Sequence, residues 1–574
     1  MKPVRLPAAA TLALPRWALF ALGLLYILPG LIGREPWKND DAASFGIMWT
    51  MAHGSWQDWL WPNIAGLSMP EEGPLAFWLG ALGIKIFGPL LGDVLAARVA
   101  TIAIFLLGVL SLWYATFNLG RRQDAQPLRL AFGGQPEPND FGRTLADAAV
   151  LIYLGCLGLL LHSHETTSEA LQVSLVALLL YRTVRYAEAP SLRNAALSGL
   201  AVGLLTLTRG WITPVFLMLA LFACTRWLDQ PAIRAVRDLA VTLVVGAAVT
   251  AVWLLPAQLL QPYGQQPLLA WLGWNLLQLD LPSMLSVKFF LRVGTWFYWP
   301  AWPFAGWAVW AWRRQRRALH IVVPLAFVTM GMLLTLFHPL PEQSQLLVLL
   351  PPLAIMAAFG LLTMKRGAIN AIDWFSVMAL TLCAAVIWIF WFAKLTGWPA
   401  KAAKNALKLV PGFTPELGWM ALLVALAATA GWFALVLWRI SRQPAVLWRA
   451  VVLSSGGLIL IWILLMTLFL PDVNYSKSYA TVARQIAQKI PAGAGCIATN
   501  VGPAQRASFA YYAALPFEGV QGQRCDLLLL QDSIRVKDEH EILPQYRGKQ
   551  WQLLWEGRRA ADREERFRLY RRAD

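Results

Sequence analysis

Residues 34–74 read REPWKNDDAASFGIMWTMAHGSWQDWLWPNIAGLSMPEEGP, directly after a first apolar run. The stretch carries Asp40, Asp41, Asp58, Glu71 and Glu72, a dense set for a chain with only 32 acidic residues. It also carries Trp37, Trp49, Trp56, Trp59 and Trp61. Two readings fit. Indole faces pack on the apolar face of a sugar ring, while carboxylates bind hydroxyls or take protons. Equally, tryptophans settle at headgroup depth beside a bilayer with acids in the adjoining water. The surrounding chain bears on the choice.

Of the 574 residues, 58% are hydrophobic and 14% charged, with a mean hydropathy of +0.52. Apolar runs of roughly twenty residues recur from Trp17 to Leu470, which fits a polytopic membrane protein and not a string of soluble domains. The first run follows Lys2, Arg5 and Arg16 and leads into Gly33-Arg34-Glu35-Pro36 with no small-residue cleavage site, so it is read as a retained first span. The net charge of +17 sits mostly in short loops between spans, as the positive-inside rule expects, and does not argue for nucleic acid.

About thirteen transmembrane helices are expected, at 17–33, 94–117, 144–161, 169–186, 194–208, 211–226, 238–258, 296–312, 318–337, 346–364, 371–393, 417–438 and 450–470. Charge parity decides how the first loop is drawn. With the N-terminus inside, 34–74 lies outside and the loop bearing Arg121, Arg122, Arg129 and Arg143 lies inside, so a single crossing separates them. The longer run 94–117 takes that crossing. The run 75–88 is then a helix along the membrane surface, opened by Gly73-Pro74 and closed by Gly88-Pro89. The remaining basic clusters also fall inside: Arg182/Arg185/Arg193, Arg226/Arg234/Arg237, Arg313/Arg314/Arg316/Arg317, Lys365/Arg366 and Arg439/Arg442/Arg449. One loop breaks the rule. Residues 394–416 fall outside yet carry Lys394, Lys401, Lys404 and Lys408, which suits either contact with phosphates or a solvated amphipathic segment.

Two domains follow: a transmembrane domain over 1–470, with 34–93 as a first extracytoplasmic loop, and a small soluble α/β domain over 471–574. In the second, SYATVARQIAQKI and ASFAYYAAL read as helices, GCIAT and CDLLLLQD as short buried strands, and WQLLWEG with RFRLYRR as a closing hairpin. Cys496 opens one strand and Cys525 precedes another. Adjacent strands would put the two within disulfide range, given an extracytoplasmic location. Cys156, Cys224 and Cys383 sit in apolar runs, as small packing residues do.

Four ordered stretches give the chain a family likeness: Asp40-Asp41 after the first span; Glu71-Glu72-Gly73-Pro74-Leu75-Ala76-Phe77-Trp78 at the loop's end; Gly203-Leu204-Leu205-Thr206-Leu207-Thr208-Arg209-Gly210; and a polar loop from His338 to Gln345 leading into LLPPLA. Together they resemble the GT-C membrane glycosyltransferases, in particular the bacterial lipid A aminoarabinose transferases and relatives of the protein O-mannosyltransferases. The likeness spans roughly residues 15–360. It implies a GT-C-like α-helical membrane fold in a bacterial cytoplasmic membrane, with a periplasmic C-terminal domain. It also implies transfer of a hexosyl or pentosyl group from a polyprenyl phosphate carrier to a lipid, glycan or protein. The chain departs from the family where a Lys following the first loop Glu is Glu72 here, where an Arg near the Asp pair is replaced around Ala43, and where a Tyr before the late Leu-Pro run is absent. A divergent subfamily with another sugar or acceptor, or an inactive relative, is therefore expected.

Such a transfer needs a base for the acceptor hydroxyl and positive charge at the departing phosphate. Asp40 matches the family's base, with Asp41 as the alternative; the pair also suits an ordinary helix start. Arg209, Lys288 and Arg292 are the expected phosphate ligands, with Arg34 and Lys38 as further cations. Arg209 stands where the family has Lys, between two apolar runs, where a charge needs a partner or a cavity. Glu71, Glu72, Glu169, His338 and Glu342 are expected at the acceptor or a metal. Glu71 with Glu72 suits a divalent ion bridging to phosphate, and His162 and His164 with Glu165 are a weaker metal set. A transporter or flippase and a non-catalytic scaffold are the competing readings. Acids concentrated in an outer loop, and no internal repeat, speak against transport.

Overall fold

The computed structural model describes residues 4, 6–11, 14–128, 134–225, 231–260, 266–315, 317–441, 449–491, 493, 495–518, 525–535 and 551–572. Arg129, Arg226, Arg316 and Arg442 of the expected cytoplasmic clusters lie outside the described residues.

In hydrocarbon every backbone polar group must be satisfied within the chain, so apolar runs become helices. The first half of the chain forms α1 (Arg16–Ile27), α2 (Asp40–His53), α3 (Leu75–Leu91), α4 (Asp93–Arg121), α5 (Pro138–Leu154), α6 (Leu157–His162), α7 (Ser168–Glu188), α8 (Leu192–Thr206), α9 (Ile212–Thr225) and α10 (Ala232–Leu259). There follow α11 (Pro267–Leu276), α12 (Met284–Phe297), α13 (Ala301–Ala311), α14 (Leu319–Leu336), α15 (Gln343–Leu346), α16 (Leu350–Leu361), α17 (Arg366–Thr396), α18 (Ala400–Leu409), α19 (Trp419–Ser441) and α20 (Arg449–Leu468). Among the described residues, seven helical stretches are long and apolar enough to cross a membrane: α4, α10, α14, α15–α16, α17, α19 and α20. The other expected spans fall on shorter, broken or more polar helices. α1 has 12 residues, about 18 Å of rise against a hydrocarbon core of about 30 Å. The expected span 144–161 is interrupted at Gly155-Cys156 between α5 and α6. α3 does not stop at Gly88-Pro89 but runs through Pro89 to Leu91 and ends at Gly92, whose φ is +75°. A proline in the last turn costs little there because its ring meets only one preceding carbonyl.

The bundle's centre is α5, α7 and α16; every residue of α16 is buried, as is almost all of α5 beyond Phe141. α4, α13, α14 and α20 pack around them, while α10, α17 and α19 present mostly outward apolar faces, as lipid-facing helices do. Small residues set the closest approach: a Cβ on Gly199 of α8 would meet the Thr242 carbonyl of α10 at 2.5 Å.

After the bundle, α21 (Leu470–Lys477) and α22 (Ala480–Ala487) lead into an α/β unit. Its strands β3 (Ile497–Thr499), β4 (Leu527–Ser533), β5 (Trp551–Gly557) and β6 (Glu565–Arg572) form one sheet in the order β3-β4-β6-β5. β3 and β4 are parallel and joined through α23 (Pro503–Ala513), while β4–β6 and β6–β5 are antiparallel. Cys496 and Cys525, just before the parallel pair, form a disulfide with their Cα atoms 5.0 Å apart. A second, two-stranded ribbon, β1 (Asn63–Ile64) and β2 (Leu67–Ser68), lies in the first loop.

The C-terminal unit clamps that loop. Arg506 of α23 donates to the carbonyls of Ile64 (3.0 Å), Ala65 (2.6 Å) and Glu518 (3.0 Å). α23 lies so close to α2 that a Cβ on Gly46 would sit 2.3 Å from Ala507. Of the lysines in the anomalous loop, Lys394 is neutralised by Asp472 at 2.6 Å, both nearly fully buried. Lys401, Lys404 and Lys408 stay exposed on α18, whose buried positions are Ala403 and Ala406.

Removing one partner of a buried ion pair leaves an uncompensated charge, at a cost of about 3–5 kcal/mol. Lys394→Ala should therefore lower the melting temperature of the detergent-purified protein markedly, and Lys394→Ala/Asp472→Leu should recover most of the loss.

Candidate functional site

The first loop enters the molecule through a buried charge cluster. Asp41, in the first turn of α2, accepts the Trp37 N–H at 3.0 Å and pairs with Arg34 at 3.1 Å and Arg98 at 3.4 Å. All three charged residues are 3% exposed or less. Burial alone would raise the Asp41 carboxyl, but Arg34 and then Arg98 outweigh it and hold the group below its ordinary value. Arg98, on α4, also donates to the carbonyls of Leu31 (3.2 Å), Arg34 and Glu35 (3.1 Å). Arg34 stacks over Trp37 at 3.8 Å and reaches Glu165 at 3.7 Å. Asn474, from α21, takes N–H bonds from Glu35 (3.2 Å) and the Trp37 indole (2.9 Å) and donates to Gly33 O (2.9 Å). This corrects two expectations. Asp41 faces the interior with its charge neutralised, so it does not stand beside Asp40 as an alternative base. Arg34 is likewise taken up inside the cluster and not held out for a phosphate.

The same cluster presents Asp40. Asn39 takes a positive φ of 73° and turns the chain into α2, leaving Asp40 at the helix start with its side chain exposed. No ion pair to Asp40 exists among the described residues. Its carboxyl is nonetheless pushed up to about 6, first by the protein walls around it and then by the like charges of Glu169 and Glu165, with Arg209 opposing and Glu342 adding. Those four residues come from three segments, the 165–169 stretch, Arg209 and Glu342, so the exposed carboxylate sits in a recess ringed by their charges.

Two of the motif stretches cross at the recess floor. Gly73 N–H donates to Thr208 O and Leu75 N–H to Leu207 O, both at 3.1 Å. A Cβ on Gly73 would lie 2.2 Å from Leu207 O, which is why the loop needs glycine there. The crossing brings Glu72 beside Arg209 and Glu169. Arg209 pairs with Glu169 at 2.5 Å, and Thr167 caps the start of α7 through the Ala170 N–H at 3.4 Å. Burial works against the Arg209 charge, but Glu169 above all, with Glu342 and Asp40, raises its pKa further. The guanidinium lies over Trp274 at 5.7 Å, and its Nε is buried with no hydrogen-bond partner. Glu72 is half-buried, but its Oε2 is sealed and unpartnered. Burial and then Glu169 push its carboxyl up to about 8 against the pull of Arg209, so it is mostly protonated at neutral pH.

A cavity of about 70 Å³ opens beside Arg209, lined among others by Gln172, Trp274, Asn275, Gln278, His338 and Gln345. Asn275 shapes it by accepting the Trp211 N–H at 3.0 Å and donating to Trp271 O at 2.8 Å. His338 accepts the Leu340 N–H at Nδ1 (3.2 Å) and meets Gln278 through Nε2, which matches a neutral ring, and burial lowers its pKa. Glu342 is exposed and caps α15. Lys288 and Arg292 are exposed on α12 and are not among the residues that line this cavity, whereas Arg209 is.

Among the described residues no three His, Cys, Asp or Glu side chains come together at metal-ligand spacing. Glu71 is half-exposed, Glu72 faces Glu169 and Arg209, and His164 has its ring nitrogens against the carbonyls of Leu160 (2.6 Å) and Tyr26 (2.7 Å). Among the described residues the donor set does not fit the expected divalent ion. The indoles also differ from the expected sugar platform. Trp37 and Trp61 are buried; Trp61 donates to Ala257 O at 3.1 Å, and Trp78 donates to Trp59 O at 2.7 Å. Of the five tryptophans in 34–74, Trp56 alone is highly exposed. Sequence reasoning missed Arg98 and Asn474; a buried Arg within an apolar run was the available signal for the first.

No protein-family model matches the chain, nor does any curated protein. Solved structures do. ArnT from Cupriavidus metallidurans bound to undecaprenyl phosphate superposes with a TM-score of 0.65 at 15% identity, covering 96% of this chain and 97% of that one. The same protein in its apo state gives a TM-score of 0.63 at 16% identity with the same coverage. At that identity the likeness is one of fold, and the fold is that of the GT-C membrane glycosyltransferases, with a small C-terminal sheet domain.

The two adjacent aspartates should respond differently. Asp41→Asn removes the charge that Arg34 and Arg98 share and should cost about 3 kcal/mol or more. Asp40→Asn should leave the melting temperature within about 1 °C of the parent, since a surface substitution is worth about 0.5 kcal/mol or less. A thermal melt of both variants checks this.

Proposed function

We propose that the protein is an integral membrane glycosyltransferase that moves a hexosyl or pentosyl group from a polyprenyl phosphate to an acceptor hydroxyl on the extracytoplasmic side. The observation that carries the reading is Asp40: a carboxylate at a helix start with no ion pair among the described residues, raised toward neutral pH, with the fixed cation Arg209 among the charges that act on it. The ArnT fold, seen in that protein with undecaprenyl phosphate bound, supports a lipid-linked donor. The acceptor class is a lipid, glycan or protein exposed at the outer face, and the C-terminal unit then lies in the periplasm of a bacterial cell envelope.

In this reading Asp40 accepts the proton of the acceptor hydroxyl. The freed oxygen forms a bond to the anomeric carbon as the bond from that carbon to the phosphate oxygen breaks. The phosphodiester donor leaves as polyprenyl phosphate with one more negative charge, and that charge develops beside Arg209. Glu169 holds Arg209 from one side, which leaves the remaining guanidinium hydrogens for the phosphate. A fixed cation in a walled site needs no reorganisation when charge appears. Glu72 in its protonated form adds no negative charge against the leaving group. Asp41, with Arg34 and Arg98, positions Asp40 and exchanges no proton.

Offered a panel of undecaprenyl phosphate sugars with membrane lipid extract as acceptor, the wild type should release free undecaprenyl phosphate from at least one donor. Asp40→Asn should lower the rate by about 10²–10⁴-fold, the range for a positioned base. No release from any donor by well-folded protein would contradict the reading. Because Asp40 is active only when ionised and titrates at about 6, the rate should rise with pH through that value and level off above it. Glu165→Gln, which removes one of the like charges, should move the profile to lower pH.

A further inference from the structure

Away from the Asp40 recess, α1 and α4 leave a groove of about 620 Å³ between them, closed at one end by α5. α1 packs mainly on α20 and does not fill the gap. The walls are apolar, with Phe20, Leu24, Leu106 and Leu110 among them, and Phe20 and Leu110 are more than half exposed. Gly23 keeps the groove open: a Cβ there would meet nothing within 4 Å.

The mouth of the groove is cationic. Arg16 opens α1, is exposed, and has no ion pair among the described residues. Arg143, one helical turn before Asp147 on α5, is about half exposed, and its nearest acid is Asp140 at 4.0 Å. Asp147 does not neutralise the pair by direct contact, because its oxygens accept the Trp113 indole N–H at 2.9 Å and the Leu14 N–H at 3.0 Å. The bond from Leu14 also places the start of α1 beside α5, so both guanidiniums lie at one end of the groove. That end is the far one from the recess, since the other end of α1 carries Tyr26, which bonds Ser163 at 3.0 Å beside the Glu165 loop.

We propose that this groove is a binding site for an anionic glycerophospholipid of the leaflet opposite the Asp40 site, with an acyl chain along α1 and α4 and the headgroup phosphate between Arg16 and Arg143. Guanidinium groups take phosphate in paired hydrogen bonds. Two cations whose one ion pair among the described residues is the long, half-exposed Arg143–Asp140 contact favour a net-negative headgroup over a zwitterionic one. The apolar trench accounts for a chain, which a free phosphate lacks. The site is independent of the transferase reading.

The test is native mass spectrometry of the detergent-purified full chain given equimolar phosphatidylglycerol and phosphatidylcholine. Wild type should retain one phosphatidylglycerol in preference to phosphatidylcholine. Arg16→Ala/Arg143→Ala should lower that preference by about tenfold or more. Gly23→Phe, which fills open space, should exclude the lipid while the protein melts as the parent does. Equal retention of both lipids by wild type would overturn the proposal. So would undiminished phosphatidylglycerol retention by a folded Gly23→Phe variant, whatever the fate of the double variant.

Discussion

Asp41 sits between the guanidiniums of Arg34 and Arg98 with almost no access to water. A carboxylate so buried is tolerable only if its charge is matched and its lone pairs are used. Here both conditions are met by groups from three places in the chain: the exit of the first helix, α4, and the backbone of Trp37. The direction in which α2 leaves the bundle follows from that arrangement. Asn474 ties the same turn to the end of the transmembrane domain, and Arg506 holds the far side of the loop from the C-terminal unit. The first loop is thus fastened at three points, and Asp40 is carried at its fixed edge.

Rigidity matters because the recess holds carboxylates of like charge close together. Asp40, Glu169, Glu165 and Glu342 act on one another, and Arg209 is the cation that keeps them tolerable. Glu72 adds an acid to a site already rich in acids, and the chain accommodates it by burying it where the proton stays on near neutral pH. A family lysine at that place would add a cation instead. The exchange leaves the backbone crossing at Gly73 and Leu207 intact.

Much of this was legible in the sequence. Runs of apolar residues announced the membrane bundle, period-two and helical patterns outlined the C-terminal sheet and its helices, and the order of four motif stretches pointed to the GT-C fold. The separate fates of Asp40 and Asp41 were not legible, because two adjacent acids at a helix start look alike until burial and partners are known. Lys288 and Arg292 read as phosphate ligands because they are cations in an outer loop, but they are exposed on α12 and do not line the cavity beside Arg209. The tryptophans misled for a similar reason: composition cannot separate an indole that stacks on a sugar from one that closes a core, and Trp61 closes a core with Trp253 and Trp271. The helix breaks at Gly155 and the continuation of α3 through Pro89 are outcomes of packing that local propensity does not contain.

In the proposed reading Asp40 takes the acceptor proton and no covalent sugar intermediate forms, so the transfer is one direct displacement, and such a displacement inverts the anomeric centre. The measurement that tests this most directly is the anomeric configuration of the product by NMR, compared with that of the polyprenyl phosphate donor. The account predicts inversion in wild type, with no inverted product above background from Asp40→Asn. Retention of configuration, or inverted product formed equally well without the Asp40 carboxylate, would contradict it.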